Sequence, residues 1–171
     1  MPAPHDDRIR NAVSSFEEAN NRLIRLLEGL NDEAAKKAPA GSGWNAAQIG
    51  YHVAMTNELF ADVLTGSVPF AQPAPSGFAE NPDVFSAAPS KIETLPPLEP
   101  PAATTRQEAV AKLRSAQPVT VGAVKGLTPE RATGHIMQLS FGAITLYQAA
   151  EFLAPHTTRH IAQVERATSS T

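Results

Sequence analysis

Apolar residues recur at spacings of three and four in four separate stretches of the chain, which is the pattern of amphipathic helices. The first stretch predicts a helix from about Asp6 to Leu30, and the second predicts one from about Asn45 to Thr65. A third helix is expected to begin at Thr105, whose Thr-Arg-Gln-Glu sequence matches a capping box, and the last to run from about Ile144 to Ala167. The stretch from Leu127 to Gly142 has turn chemistry and is predicted to be a loop.

A proline-rich connection separates the second and third predicted helices. Residues 67–103 hold nine of the fifteen prolines, and this density forbids a continuous helix or a central strand. The connection is either an ordered wrap that acts as a lid over a site or a disordered linker, and its phenylalanines favour the wrap. The chain beyond it is too short to form a domain of its own, so residues 1–171 are predicted to be a single domain.

The four predicted helices, together with the lack of a convincing strand alternation, place the chain in the all-α class. We expect a four-helix bundle with the long proline-rich connection between its second and third helices. Apolar residues make up 42% of the 171 residues, which is enough to bury a hydrophobic core.

Composition and charge exclude several functions. The formal net charge of −3 and the scattered basic residues argue against a nucleic-acid partner or an anionic membrane surface. The polar N-terminus lacks the apolar core of a signal peptide, and no apolar stretch approaches the roughly 20 residues of a membrane span. We therefore expect a soluble, cytoplasmic protein. With no cysteine in the chain, only His, Asp and Glu remain as candidate metal ligands.

Two histidines of the last predicted helix have the spacing of a metal-binding pair. His156 and His160 lie four residues apart, so both rings leave the same face of a helix and can share one ion. Neutral imidazole suits zinc, nickel, copper or iron. The pair alone is a weak signal because this spacing also arises by chance. Pro155 directly precedes it and either kinks the helix or starts a new helical segment.

His52 is the third candidate ligand. It falls on the apolar stripe of the second predicted helix and therefore points toward the interior. It is either a core histidine hydrogen-bonded to a neighbour, or a ligand that the bundle sets opposite His156 and His160. Three histidines that leave coordination positions open resemble a catalytic metal site more than a closed structural one.

Two glutamines are candidate partners for these imidazoles. Gln48 lies one turn before His52, and Gln163 lies three residues after His160. A ligating histidine usually donates its second N–H to an acceptor, so each glutamine either orients a ring or is an ordinary polar flank.

The other titratable residues carry weaker signals. His5 is expected to be solvated in the polar terminus, and His135 to have a surface or turn role rather than to line a pocket. Glu58, Glu151 and Glu165 are candidate bases by residue type alone. The sequence contains no clear Ser-His-Asp motif, phosphate-binding glycine loop or pair of carboxylates, so the general base is not identified.

Two segments resemble one known family. The first runs from Trp44 to Val53, with the tryptophan eight residues before His52; the second joins residues 141–148 to the stretch from His156 to Val164. In order and separation they resemble the DinB/YfiT-like metalloenzymes, a family unrelated in chemistry to the DNA polymerase that shares the DinB label.

The resemblance implies a four-helix bundle, often dimeric, with a three-histidine site for zinc, nickel or a similar ion such as iron, manganese or copper. The matching ligands are His52, His156 and His160. Characterised relatives include transferases and isomerases that use low-molecular-weight thiols as cosubstrates. The chain departs from the family at Gln48, where many relatives carry Glu, and in the length of its proline-rich connection.

Two functions follow as hypotheses. The first is a metal-dependent enzyme whose ion binds water or a thiol and acts on a small organic substrate by thiol transfer, isomerisation or hydrolysis. The second is a non-catalytic stress-response or ligand-binding bundle whose metal site is structural or vestigial. A homodimer is compatible with both, and in one structural interpretation the apolar stripe of the first helix forms its seam.

Overall fold

The computed structural model describes residues 4–39, 43–86, 88 and 94–169, so residues 87 and 89–93 of the proline-rich connection lie outside the described residues. The described chain is mostly helical. Its long helices are α1 (His5–Glu28), α3 (Ala46–Thr65), α4 (Arg106–Lys125) and α6 (Leu146–Thr168). Its short elements are α2 (Asp32–Lys36), α5 (Pro129–Gly134), a 3-10 turn (Pro96–Leu98), and strands β1 (Ala71–Pro73), β2 (His135–Leu139) and β3 (Gly142–Thr145). None of the helices in this described part is long and apolar enough to cross a membrane.

Local sequence sets where three of the long helices begin. Each has a capping box, in which the side chain of the N-cap residue accepts the backbone N–H three positions on and the side chain at that position accepts the N-cap N–H. The pairs are Asn45 with Gln48, Thr105 with Glu108, and Thr145 with Gln148. The predicted capping box at Thr105 is therefore confirmed, and the long helices lie within about two residues of their predicted bounds.

The long helices bury their apolar faces against one another. α3 packs against α4 and α6, and α1 packs against the same two helices from the other side. Val13, Phe16, Leu23 and Leu27 of α1 are all buried in this core. The interpretation of the α1 stripe as a dimer seam is therefore wrong, because the stripe is already covered within one chain.

The stretch predicted as a loop between Leu127 and Gly142 is instead folded. It contains α5 and the strand β2, which forms an antiparallel hairpin with β3, while β1 pairs with the other edge of β2. The all-α prediction is corrected to a mostly helical fold with a small three-stranded sheet. Strands of three to five residues allow too few repeats of the in–out alternation to be recognised in a sequence.

The described part of the proline-rich connection is docked on the helices rather than free. Its strand β1 belongs to the sheet, and Val84 is only 2% exposed in the core beside Gly142. The carboxylate of Glu80 accepts two hydrogen bonds of 3.0 Å from the guanidinium of Arg8 in α1. Gln148 Nε2 donates to the carbonyl of Asn81 at 2.9 Å. These contacts agree with the interpretation of the connection as an ordered wrap rather than a disordered linker.

Candidate metal centre

The packing of α3 against α6 brings three histidines together. One ring nitrogen from each of His52, His156 and His160 lies within 4.8 Å of those of the other two, in a group able to hold a metal ion. The Nε2 atoms of His156 and His160 are 3.1 Å apart, and the His52 ring centroid lies 4.8 Å from that of His160. α6 is continuous through Pro155, so the two histidines keep the register of one helical face. The three residues singled out in the sequence are thus neighbours in space.

His52 is fixed by the proline-rich connection. Its Nδ1 lies 2.8 Å from the backbone carbonyl of Leu98. Because a carbonyl only accepts, Nδ1 carries the proton and Nε2 keeps the lone pair that a metal requires. The side chain is 5% exposed, and the indole of Trp44 packs on its ring with centroids 4.8 Å apart. The ring is therefore held in one orientation and in one tautomer.

His160 is oriented in the same way by a side chain. Its Nδ1 donates to Gln163 Oε1 at 2.7 Å, which leaves its Nε2 unprotonated and facing Nε2 of His156. Without a cation between the two nitrogens, the 3.1 Å contact is a hydrogen bond in which His156 donates its Nε2–H to the lone pair of His160, and a shared metal ion would take the place of that proton. The Nδ1 of His156 is buried and has no hydrogen-bond partner among the described residues. Within the described residues, His52 and His160 each have an acceptor for Nδ1, whereas His156 has none.

Burial keeps the three imidazoles neutral. Desolvation lowers the pKa of His52, against the opposing effect of its bond to the Leu98 carbonyl. Desolvation, followed by the proximity of His52, lowers the pKa of His160 to about 4. The pKa of His156 lies well below its usual range, because its ring is desolvated and close to His160 and His52. Neutral imidazole is the form that coordinates a metal, so little proton release would oppose binding near pH 7.

The two candidate glutamines differ in what they contact. Gln163 makes the bond to His160, whereas Gln48 has no bond to His52. Its Oε1 accepts the backbone N–H of Asn45 at 3.1 Å, and its Nε2 lies 3.5 Å from the Pro101 carbonyl. Of the two interpretations left open for Gln48, the structure supports a flanking and capping role, because the third position of α3 commits its side chain to the helix cap.

The acceptor for His52 was missed in the sequence. A backbone carbonyl is present at every residue, so no residue type marks Leu98 as a partner. The only available signal was the local density of prolines, which favours a short 3-10 turn over a continuous helix at residues 96–98.

The remaining histidines lie outside this group. His5 was expected to be solvated; instead it is half-buried at the start of α1, and its Nδ1 is hydrogen-bonded to the hydroxyl of Tyr147. His135 is the half-buried first residue of β2, and its Nδ1 is buried without a partner among the described residues.

Two of the three candidate bases are occupied by ion pairs. Glu58 lies 3.0 Å from Lys112 Nζ, and Glu151 pairs with the guanidinium of Arg8. Glu165 is exposed on α6. No carboxylate joins the histidine group within the described residues.

An aromatic cluster adjoins the histidines, and sequence reasoning missed it as well. Phe152 lies one turn before His156 on α6, with ring centroids 5.3 Å apart. Phe60 of α3 and Phe85 of the connection each lie 5.4 Å from Phe152, and Phe141 lies 6.5 Å from Phe85. We call Phe60, Phe85, Phe141 and Phe152 the aromatic cluster.

The donor set fits a divalent transition metal. It consists of three neutral nitrogen donors with no thiolate and no carboxylate, and three protein ligands leave positions for further ligands. Two of the three rings already have their second nitrogen bonded to an acceptor, as ligating histidines usually do.

The comparison with known proteins identifies the family of the chain. The sequence model of the DinB superfamily matches residues 15–164, a range that includes α3, most of α6 and all three histidines. No curated protein matches the chain. Since the match covers most of the 171 residues, the chain belongs to the DinB superfamily.

Proposed function

We propose that this protein is a metal-dependent enzyme in which His52, His156 and His160 hold one divalent transition metal ion. The observation that carries the proposal is the convergence of three neutral imidazoles whose ring nitrogens lie within 4.8 Å of one another. His52 and His160 each have an acceptor on Nδ1, which leaves their Nε2 lone pairs for a shared ion. Zinc or nickel suits three nitrogen donors best, with iron, manganese or copper as alternatives.

The proposed architecture is that of the family. We propose that α1, α3, α4 and α6 form a four-helix bundle, and that residues 1–171 make up a single domain. The protein is proposed to act in the cytoplasm as a homodimer, with no nucleic acid or membrane as a partner. Because the apolar stripe of α1 is buried in the chain's own core, the dimer surface has to lie elsewhere.

The chain's own residues prepare the site for chemistry. The Leu98 carbonyl and Gln163 hold two imidazoles in the tautomer with a free Nε2, and burial keeps all three rings neutral. A bound ion would supply Lewis acidity and would raise the acidity of water or a thiol at its open positions. The proposed reaction is thiol transfer, isomerisation or hydrolysis of a small organic substrate, with a low-molecular-weight thiol as the cosubstrate in the first two cases.

A second candidate function is favoured by a specific observation. No carboxylate joins the histidine group within the described residues, and the glutamates at positions 58 and 151 are engaged in ion pairs. A site without a nearby base is also what a non-catalytic stress-response or ligand-binding protein with a structural metal would have. In that case, removing the metal changes stability and abolishes no reaction.

Metal analysis of the untagged full chain tests the proposal. We expect about one transition metal ion per chain in the wild type and in His135→Ala, which removes a histidine outside the group. His52→Ala and His160→Ala are expected to lose the ion. A wild-type protein that takes up no transition metal would contradict the proposal. Metal-dependent turnover of a thiol cosubstrate then separates the enzyme from the non-catalytic alternative.

A further inference from the structure

The aromatic cluster continues the row of rings that begins at the histidines. α3 and α6 are antiparallel here, because His52 lies beside His160 while Phe60 lies beside Phe152. Ring centroids are separated by 5.5 Å from His52 to His156, 5.3 Å from His156 to Phe152, and 5.4 Å from Phe152 to Phe85. The same helix pair therefore presents nitrogen donors at one level and aromatic rings at the next.

Part of this cluster remains accessible to solvent. Phe60 is 4% exposed and belongs to the core. Phe85, Phe141 and Phe152 are only partly buried, although each packs against at least one other ring. Apolar area that stays in contact with water beside a set of convergent polar groups is typical of ligand sites, because a ligand gains free energy by covering it.

Phe85 is held firmly although it lies in the proline-rich connection. The preceding residue, Val84, is buried in the core, and Glu80 and Asn81 are tied to α1 and α6 by the hydrogen bonds described above. The other described part of the connection supplies the Leu98 carbonyl to His52. The connection thus contributes to both the metal-binding side and the aromatic side of the site.

We propose that Phe85 and Phe152 form the apolar wall of the substrate pocket beside the three histidines. The ligand class that fits is a small organic molecule, such as a thiol, that joins a metal-binding group to an apolar body about the size of one aromatic ring. The inference rests on the proposed function, since the metal-binding end of that ligand requires the ion. It predicts selection against small polar thiols, which leave the two rings uncovered.

Thiol binding to the cobalt-loaded full chain tests whether Phe85 and Phe152 form this apolar wall. Phenylmethanethiol and 2-mercaptoethanol are titrated separately while the visible absorption of cobalt is followed. We expect phenylmethanethiol to bind about tenfold more tightly, because only its ring can cover Phe85 and Phe152. Equal affinity for the two thiols would overturn the proposal.

Variants show whether the selectivity comes from these two rings. Phe85→Ala and Phe152→Ala should each lower the affinity for phenylmethanethiol about fivefold and leave the affinity for 2-mercaptoethanol unchanged. Phe70→Ala, at a side chain 50% exposed in the same connection, should change neither. Phe85→Ala alters no helix, so it still decides the question if Phe152→Ala fails to fold. Equal weakening of both thiols by Phe85→Ala would overturn the proposal.

A metal-free titration separates this inference from the proposed function. Trp44 is the only tryptophan and packs on His52, so its emission reports on the site. Phenylmethanol should cause a saturable change in emission of chelator-treated protein, and ethanol at equal concentration should not. If cobalt is not taken up, the proposed function fails, whereas a saturable response that Phe85→Ala removes still supports the apolar wall. No saturable response in that case would overturn both.

Discussion

The Nδ1–H of His52 donates a hydrogen bond of 2.8 Å to the backbone carbonyl of Leu98. This bond links the candidate metal centre on the helices to the proline-rich connection between α3 and α4. It also fixes which nitrogen of His52 faces the other two histidines. The conformation of the connection and the affinity of the site for metal are therefore expected to change together.

Loosening the turn that carries this carbonyl should weaken metal binding. Leu98 is buried, so Leu98→Ala removes the packing that holds its carbonyl in place. We expect the affinity for zinc to fall about tenfold or more, the usual cost of disturbing the partner of a ligating histidine. A competition titration against a chromophoric chelator measures it. Leu95→Ala, at a side chain 56% exposed in the same segment, is the control. An unchanged affinity in Leu98→Ala would show that the carbonyl plays no positioning role.

Gln163 should have a comparable effect through His160. Gln163→Leu removes the acceptor 2.7 Å from Nδ1, so the ring loses its preferred tautomer and orientation. Zinc affinity should fall about tenfold, and Gln163→Glu should restore or exceed the wild-type value because a carboxylate is a stronger acceptor. Gln138→Leu, on the exposed side of β2, is the matched control. Equal affinities for all of these proteins would contradict the role given to Gln163.

The sequence predicted those features that depend on residues close together along the chain. A capping box needs two residues three positions apart, and a histidine pair on one helical face needs a spacing of four. Both patterns are visible in the sequence, which is why the beginning of α4 and the pairing of His156 with His160 were predicted. The inward position of His52 followed from the same helical periodicity.

Features that depend on very short strands or on contacts between distant segments were missed, and one local signal was left undecided. The hairpin of β2 with β3 and its pairing with β1 join very short strands from two parts of the chain. Gln48 and Gln163 have similar spacings from a histidine, but Gln48 is already committed to the cap of Asn45. That difference was present in the sequence, since Asn-Ala-Ala-Gln itself fits a capping box. The Leu98 carbonyl had no comparable signal.

Arg8 should contribute to stability by anchoring the proline-rich connection. Its guanidinium pairs with Glu80 and Glu151 and lies 4.3 Å from the ring centroid of Tyr147. Arg8→Ala leaves two carboxylates close together without a cation, and should lower the free energy of unfolding by about 2–3 kcal/mol. Urea unfolding measures this change. Arg10→Ala removes an exposed pair with Asp7 and should have little effect. Similar stabilities of the two variants would contradict the anchoring role.

The metal-free protein should lose stability as the pH falls from about 6.5 to about 4. In the unfolded chain a histidine takes up a proton near its usual pKa of about 6.5, whereas in the folded chain burial lowers the pKa of His160 to about 4. Between these values the unfolded state binds more protons than the folded state, so acidification favours unfolding. The stabilisation is complete above pH 6.5, and the loss attributable to His160 ends below pH 4.

Urea unfolding of chelator-treated protein at several pH values measures this dependence. His160→Gln removes one of the buried imidazoles, so its unfolding free energy should vary less steeply than that of the wild type over the same window. The comparison between the two proteins cancels the contribution of carboxylates that titrate in both. In saturating zinc, the unfolding free energy of the wild type should fall further over the same pH window, because acidification then also releases the ion by protonating its ligands. Parallel pH profiles for the metal-free wild type and His160→Gln would mean that the buried imidazole does not titrate as its burial requires.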